Sequence, residues 1–207
     1  LVGIGSLVGY ISGSGRVYPE QGGHYSDLDI TYTVDTETTS EEAADDLYIG
    51  GMIGYLADTT AASSLGNGNG IAYLGSIQAN LNNARSASLG GIVGYYDGSG
   101  IKSDEAFTIN KSIFGGDIIV QKPRCQTINV GGTIGLTNAK FKIAGANNYG
   151  EVFIDYGDND TTNRMKTYNF GGIVGSINAG SALGTVSNSN SMVTNHNARL
   201  ASSSDNA

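Results

Sequence analysis

Tryptophan is absent from this 207-residue chain, cysteine occurs once, and proline and histidine twice each. Each scarcity excludes something. A single cysteine, Cys125, allows neither an intrachain disulfide nor a cysteine cluster for zinc, so it reads as a small residue beside a strand. With only His24 and His196, no Gly-x-Ser-x-Gly elbow and no His-Glu-x-x-His helix, the common nucleophilic triads and zinc sites lack their parts; His24 reads as a loop residue. No catalytic residue and no cofactor is expected. No apolar run reaches the ~18 residues that span a bilayer, so membrane insertion is not expected. Basic residues are few, 11 against 19 carboxylates. The net charge of −8 repels phosphate backbones and argues against nucleic acid as a partner.

Glycine is what the chain has in excess, at 32 residues. Collagen is excluded by the two prolines and by the lack of a three-residue glycine period. A hydrophobic content of 39% is too high for simple disorder. The glycines instead mark an internal repeat. Gly50-Gly51-Met52-Ile53-Gly54 returns as Gly90-Gly91-Ile92-Val93-Gly94, as Gly131-Gly132-Thr133-Ile134-Gly135 and as Gly171-Gly172-Ile173-Val174-Gly175, with Gly5-Ser6-Leu7-Val8-Gly9 as a degenerate first copy. The spacings are 45, 40, 41 and 40 residues. Apolar residues one and three positions before the later blocks (Leu47 and Ile49, Ala87 and Leu89, Ile128 and Val130, Tyr168 and Phe170) have the period of a strand.

A second block, Gly-x-apolar-x-apolar, follows at Gly75, Gly116 and Gly150, weakens at Gly184, and is replaced by Leu28-Asp29-Ile30-Thr31-Tyr32 in the first unit. A third, poorer strand is expected at Phe107 with Ile109 and at Phe141 with Ile143. This gives two or three strands per unit. Ser40 to Asp46 reads as a short helical turn capped by Thr39, or else as a solvated acidic loop.

Short strands cannot bury both faces alone, whereas identical units stacked in register cover one another. The expected fold is therefore all-β: a β-solenoid of about five repeats of 40 to 45 residues over residues 1–193, with units beginning near 5, 50, 90, 131 and 171, and a polar tail or linker over 194–207. A propeller has a similar period but usually carries more aromatics. One coil per unit would place Gly51, Gly91, Gly132 and Gly172 in a column about 4.8 Å apart, and two coils would double that spacing. Ile53, Val93, Ile134 and Val174 should then share one buried face. The opening at Leu1 in mid-motif reads as a segment of a longer or processed chain.

The Gly-Gly-Ile-Val-Gly blocks, each followed by a polar stretch and a Gly-x-apolar-x-apolar strand, resemble the GLUG repeats of bacterial surface proteins over roughly residues 1 to 190. The asparagine and cysteine residues often seen in the middle of such repeats are mostly absent. The resemblance implies an extracellular or cell-surface location, often within adhesins or secreted peptidases, in a region that is generally not the catalytic part. It assigns no active-site residue.

Three chemical features remain. Asp155, Asp158 and Asp160 could supply hard oxygen ligands to Ca²⁺; Asn163 and Asn169 stand where an EF-hand loop from Asp158 needs Gly and Glu, so a solvated loop is the simpler reading. Asp117 and Glu151 occupy equivalent positions of the second block, and paired carboxylates on a solenoid could act on polysaccharide. Asn110-Lys111-Ser112 and Asn159-Asp160-Thr161 are sequons, and Asp58-Thr59-Thr60 and Asp160-Thr161-Thr162 resemble O-glycosylation sites. The expected function is a non-catalytic structural spacer, adhesin or surface-assembly segment, whose partners are neighbouring modules, its own strand edges and possible glycans. The alternative is a polysaccharide-acting solenoid with an acidic groove. A threonine-based ice- or mineral-binding face is disfavoured, because Thr does not recur at fixed positions.

Overall fold

The computed structural model describes residues 1–13, 23–33, 45–58, 64–65, 70–82, 84–100, 105–121, 125–155, 167–178, 184–187 and 190–191. These residues form strands and connecting turns, with no helix among them. The strands assemble into five sheets, in which every neighbouring pair is parallel. Parallel neighbours cannot be joined by a tight hairpin, so each sheet must draw its strands from separate parts of the chain. Here it draws them one repeat apart.

The first sheet holds Val2–Gly5, Asp46–Gly50, Ser86–Gly90, Thr127–Gly131 and Thr167–Gly171. The second holds Val8–Gly13, Ile53–Asp58, Val93–Asp97, Ile134–Thr137 and Val174–Ile177, which follow the glycine blocks directly. The third contains Ser64–Leu65, Phe107–Asn110, Phe141–Ala144 and Gly184–Ser187. The fourth contains Gly23–His24, Ile71–Tyr73, Ser112–Phe114, Asn147–Asn148 and Asn190–Ser191. The fifth contains Leu28–Thr33, Ile77–Asn82, Ile118–Gln121 and Val152–Asp155.

Register follows the sequence repeat. Gly5, Gly50, Gly90, Gly131 and Gly171 pair in turn, as do Val8, Ile53, Val93, Ile134 and Val174. The step from one glycine block to the next is thus one strand spacing. A unit contributes up to five strands rather than the two or three expected from sequence. The additional ones are the strands that follow each glycine block, set off from the first sheet by a bend at the block, and the strands of the fourth sheet, such as Asn147–Asn148, which are too short to display an alternating pattern.

One face of every sheet feeds a single core. Leu47, Ile49, Ile53 and Leu56 meet Phe107, Ile109, Tyr73, Phe114, Ile77 and Val120, all at or below 2% exposure. Aromatic rings of different sheets and units stack inside it: Tyr96 on Phe107 at 4.3 Å between centroids, and Tyr73 on Phe114 at 6.1 Å. Both members of adjacent pairs such as Ile92 and Val93 are buried.

Candidate functional site

The glycine blocks make the junction between the first two sheets, and each of the three glycines meets a different neighbour. A Cβ on Gly90 would lie 1.9 Å from the Val93 carbonyl oxygen of its own block. On Gly91 it would strike the Gly132 carbonyl of the next unit at 2.2 Å and the Phe114 ring at 2.4 Å. On Gly94 it would meet the backbone nitrogen of Ile49, one unit earlier, at 2.5 Å. Gly50, Gly51 and Gly54, and likewise Gly131, Gly132 and Gly135, repeat these contacts with their own neighbours. The motif is a space requirement: backbone lies against backbone where no side chain fits. Amide groups of the block donate to the following one, as in Gly51 N–H to Gly90 O (3.0 Å), Met52 and Ile53 N–H to Ile92 O (3.1 and 3.0 Å), and Gly91 N–H to Gly131 O (3.1 Å).

Beyond this contact, on the side turned away from the core, the first two sheets hold a second cluster of Tyr48, Tyr55 and Leu136, with Tyr95 and Ala57 packed against it. Tyr10, Tyr55, Tyr95, Leu136 and Ser176 form one register column. Tyr10 stacks on Tyr55 at 5.0 Å, and Tyr48 contacts both Tyr55 (5.2 Å) and Tyr95 (4.7 Å). Burial pushes the Tyr48 phenol up to about 12 and raises Tyr55 and Tyr95 as well, so these groups stay neutral at physiological pH. The Tyr55 hydroxyl donates to Asp97 Oδ2 at 2.7 Å, while Asn138 Nδ2 and the Ser99 N–H donate to Oδ1 at 2.8 and 3.0 Å. Farther along, Asn129 donates to Ser88 and Asn169 to Asn129, so the cluster grades into an amide ladder. Sequence reading did not pick out this column, although its signal was present: a residue five positions after the first glycine, tyrosine in three successive units.

Asp117 and Glu151 do lie in one column, together with Ser76 and Asp27, immediately before the fifth-sheet strands. Asp27 Oδ1 accepts the Ser76 N–H (2.8 Å), Ser76 Oγ the Asp117 N–H (3.2 Å), and Asp117 Oδ1 the Glu151 N–H (2.9 Å). Asp27, Ser76 and Asp117 thus each hold a backbone amide of the next unit.

Of the calcium candidates, Asp155 ends the strand Val152–Asp155, while Asp158 and Asp160 lie outside the described residues. No group of three or more metal-ligating side chains occurs among the described residues. Cys125 is buried and its thiol is pushed up to about 12 by burial, which leaves it unreactive. His24 sits in the short strand Gly23–His24, its Nε2 3.1 Å from Ser26 Oγ. In the first sequon Ser112 is buried and Lys111 takes a left-handed conformation (φ 51°). The second sequon and both threonine pairs lie outside the described residues, as do 39–44 of the expected helical turn; Asp46, at its end, opens a strand. Comparison of the chain with protein-family models, with curated proteins and with solved structures finds no match in any of the three.

Proposed function

We propose that this chain is a β-solenoid segment of about five coils, one coil per 40-residue unit, acting as a non-catalytic spacer or assembly module of an extracellular, GLUG-type surface protein. The observation that carries this reading is the in-register column of glycine blocks. Such a column lets any number of units be added along one axis without altering the cross-section, which suits a part that sets length or displays other modules. Extracellular placement rests on the sequence resemblance. Its partners are the modules on either side along the stack.

The experiment is a degradation screen of the purified chain against acidic and neutral polysaccharides, alongside Asp117→Asn and Glu151→Gln. The structural reading expects no cleavage by any of the three proteins. Robust cleavage abolished in the two variants would replace it with the polysaccharide-acting alternative.

A further inference from the structure

We propose that the tyrosine cluster outside the first two sheets is an oxidative cross-linking site, where a one-electron oxidant, a haem peroxidase with hydrogen peroxide, joins Tyr48 to Tyr95 as dityrosine. The chemistry needs only the stacked register. Its purpose, given below, deepens the spacer reading and rests on it.

The cluster lies on the flank of the stack and joins its second and third units. The Tyr48 and Tyr95 ring centroids are 4.7 Å apart with their planes 30° apart. Tyr55 touches both rings, at 5.2 Å and 5.1 Å. Tyr95 is partly exposed, while Tyr48 and Tyr55 are almost covered. An oxidant therefore has one ring to address from solvent and two more in contact behind it.

A phenol yields an electron far more readily when its proton can leave at the same time. Tyr55 has a fixed acceptor for that proton, since its hydroxyl donates to Asp97 Oδ2 at 2.7 Å. Asn138 Nδ2 and the Ser99 N–H hold the other carboxylate oxygen, so the acceptor stays aimed at the phenol. Loss of one electron to the oxidant and of the proton to Asp97 leaves a neutral phenoxyl radical on Tyr55. Transfer of a hydrogen atom from Tyr48 restores the Tyr55 phenol and moves the radical to Tyr48. A second oxidising equivalent makes the same radical on Tyr95, whose proton passes to water. The two radicals couple through ring carbons ortho to their oxygens, and the hydrogens of those carbons shift to the oxygens and restore both phenols. Overall two tyrosines lose two hydrogens, and one hydrogen peroxide becomes two waters.

Proximity is what selects this pair, because rings already in contact couple without a diffusional encounter. Exposure alone would select others. Tyr25 and Tyr149 are 71% and 55% exposed, yet among the described residues no tyrosine ring contacts either. A Tyr48–Tyr95 bond closes a loop longer than one whole unit in a chain that cannot form an intrachain disulfide, and constrains the unfolded state as a disulfide would. In a spacer it would hold two successive units in register under load.

The test treats the dilute, purified chain with a haem peroxidase and limiting hydrogen peroxide. Cleavage after Arg16, Arg85 and Lys102 puts Tyr10, the Tyr48 and Tyr55 pair, and Tyr95 on three separate peptides. The expected product is a monomer lighter by two hydrogens, with dityrosine fluorescence and with peptides 17–85 and 86–102 joined at Tyr48 and Tyr95. Tyr48→Phe and Tyr95→Phe should each abolish the bond, Tyr25→Phe should retain it, and Tyr55→Phe should slow its formation. The urea midpoint of the cross-linked chain should shift upward. Coupling between chains through Tyr25 or Tyr149, or an intrachain bond that persists in Tyr95→Phe, overturns the proposal. So does absence of the bond in a protein whose register is intact, which the Gln78→Cys, Ile119→Cys pair reports, since those residues are register neighbours. Polysaccharide cleavage by the chain would remove the spacer purpose and leave the bond standing.

Discussion

Tyr55 and Asp97 stand 42 residues apart in sequence, yet the phenol of one donates to the carboxylate of the other at 2.7 Å, joining two successive units on the face turned away from the core. Burial pushes the Asp97 carboxyl up, but donation from Asn138, Tyr55 and Ser99 outweighs it, and the net position is below the ordinary 3.8. A depressed folded-state value contributes stability that is complete above the unfolded value and disappears as pH falls through the folded one. Asp46 is depressed in the same direction, chiefly by its hydrogen bonds from Arg85. The melting temperature should therefore drop below about pH 4, with a shallower drop in Asp97→Asn. Tyr55→Phe should cost about 1.5 kcal/mol at neutral pH, read from urea unfolding.

At the alkaline end the sign reverses. Tyr48 and Tyr73 are both raised by burial from 10.0 to about 12. Groups raised in this way add stability that is full below the unfolded value and lost as pH rises through the folded value. Phenolate absorbance should remain low for the buried tyrosines past pH 10 and then appear together with loss of strand signal. Tyr48→Phe should flatten the stability profile between those limits.

The glycine blocks separate backbone crowding from side-chain crowding. Gly90→Ala would force its Cβ onto a carbonyl 1.9 Å away and should cost about 3 kcal/mol or more. Gly115→Ala meets only the Leu74 side chain, at 2.7 Å; Leu74 is 37% exposed and can swing aside. That variant should stay within about 0.5 kcal/mol of the parent. Equal losses in denaturant unfolding would contradict the contact assignment.

Between the third and fourth sheets the backbone turns through the left-handed region at Gly70 (φ 83°), Lys111 (φ 51°) and Gly145 (φ 72°). The Lys111 N–H donates to Ala144 O and the Ile71 N–H to Lys111 O, which places this corner one unit apart each time. Lys111 alone carries a side chain there. A Cβ on Gly145 would meet nothing nearer than the Lys111 Cα at 3.6 Å, so Gly145→Ala isolates the left-handed penalty and should cost about 1 kcal/mol in denaturant unfolding.

These relationships also show what could be read from sequence. The first and fifth sheets were legible, because the alternation at Leu47 and Ile49 before the glycine block and at Ile118 and Val120 after Gly116 is dictated by one buried face. The strands at Phe107–Asn110 and Phe141–Ala144 were legible from alternation as well. Strands of two or three residues, such as Gly23–His24 and Ile71–Tyr73, were not, because period two needs more positions to emerge. The Tyr10–Tyr55–Tyr95 column escaped because tyrosine next to a glycine block fits a core position and a surface position equally well. Asp117 looked like half of an acidic pair, since only the fold reveals that its carboxylate holds the Glu151 amide.

The central claim is that successive 40-residue units stand one strand spacing apart in a fixed register, and paired cysteines in the fifth sheet test it most directly. Gln78 pairs with Ile119, both on the side of their strands away from the core residues Ala79 and Val120. In a Cys125→Ala background, Gln78→Cys with Ile119→Cys should oxidise readily to an intrachain disulfide, because neighbouring strands lie about 4.8 Å apart. Gln78→Cys with Gln121→Cys, displaced by two residues, should remain reduced under the same conditions. Linkage of the second pair, or of neither, would contradict the register and with it the stacked-unit account.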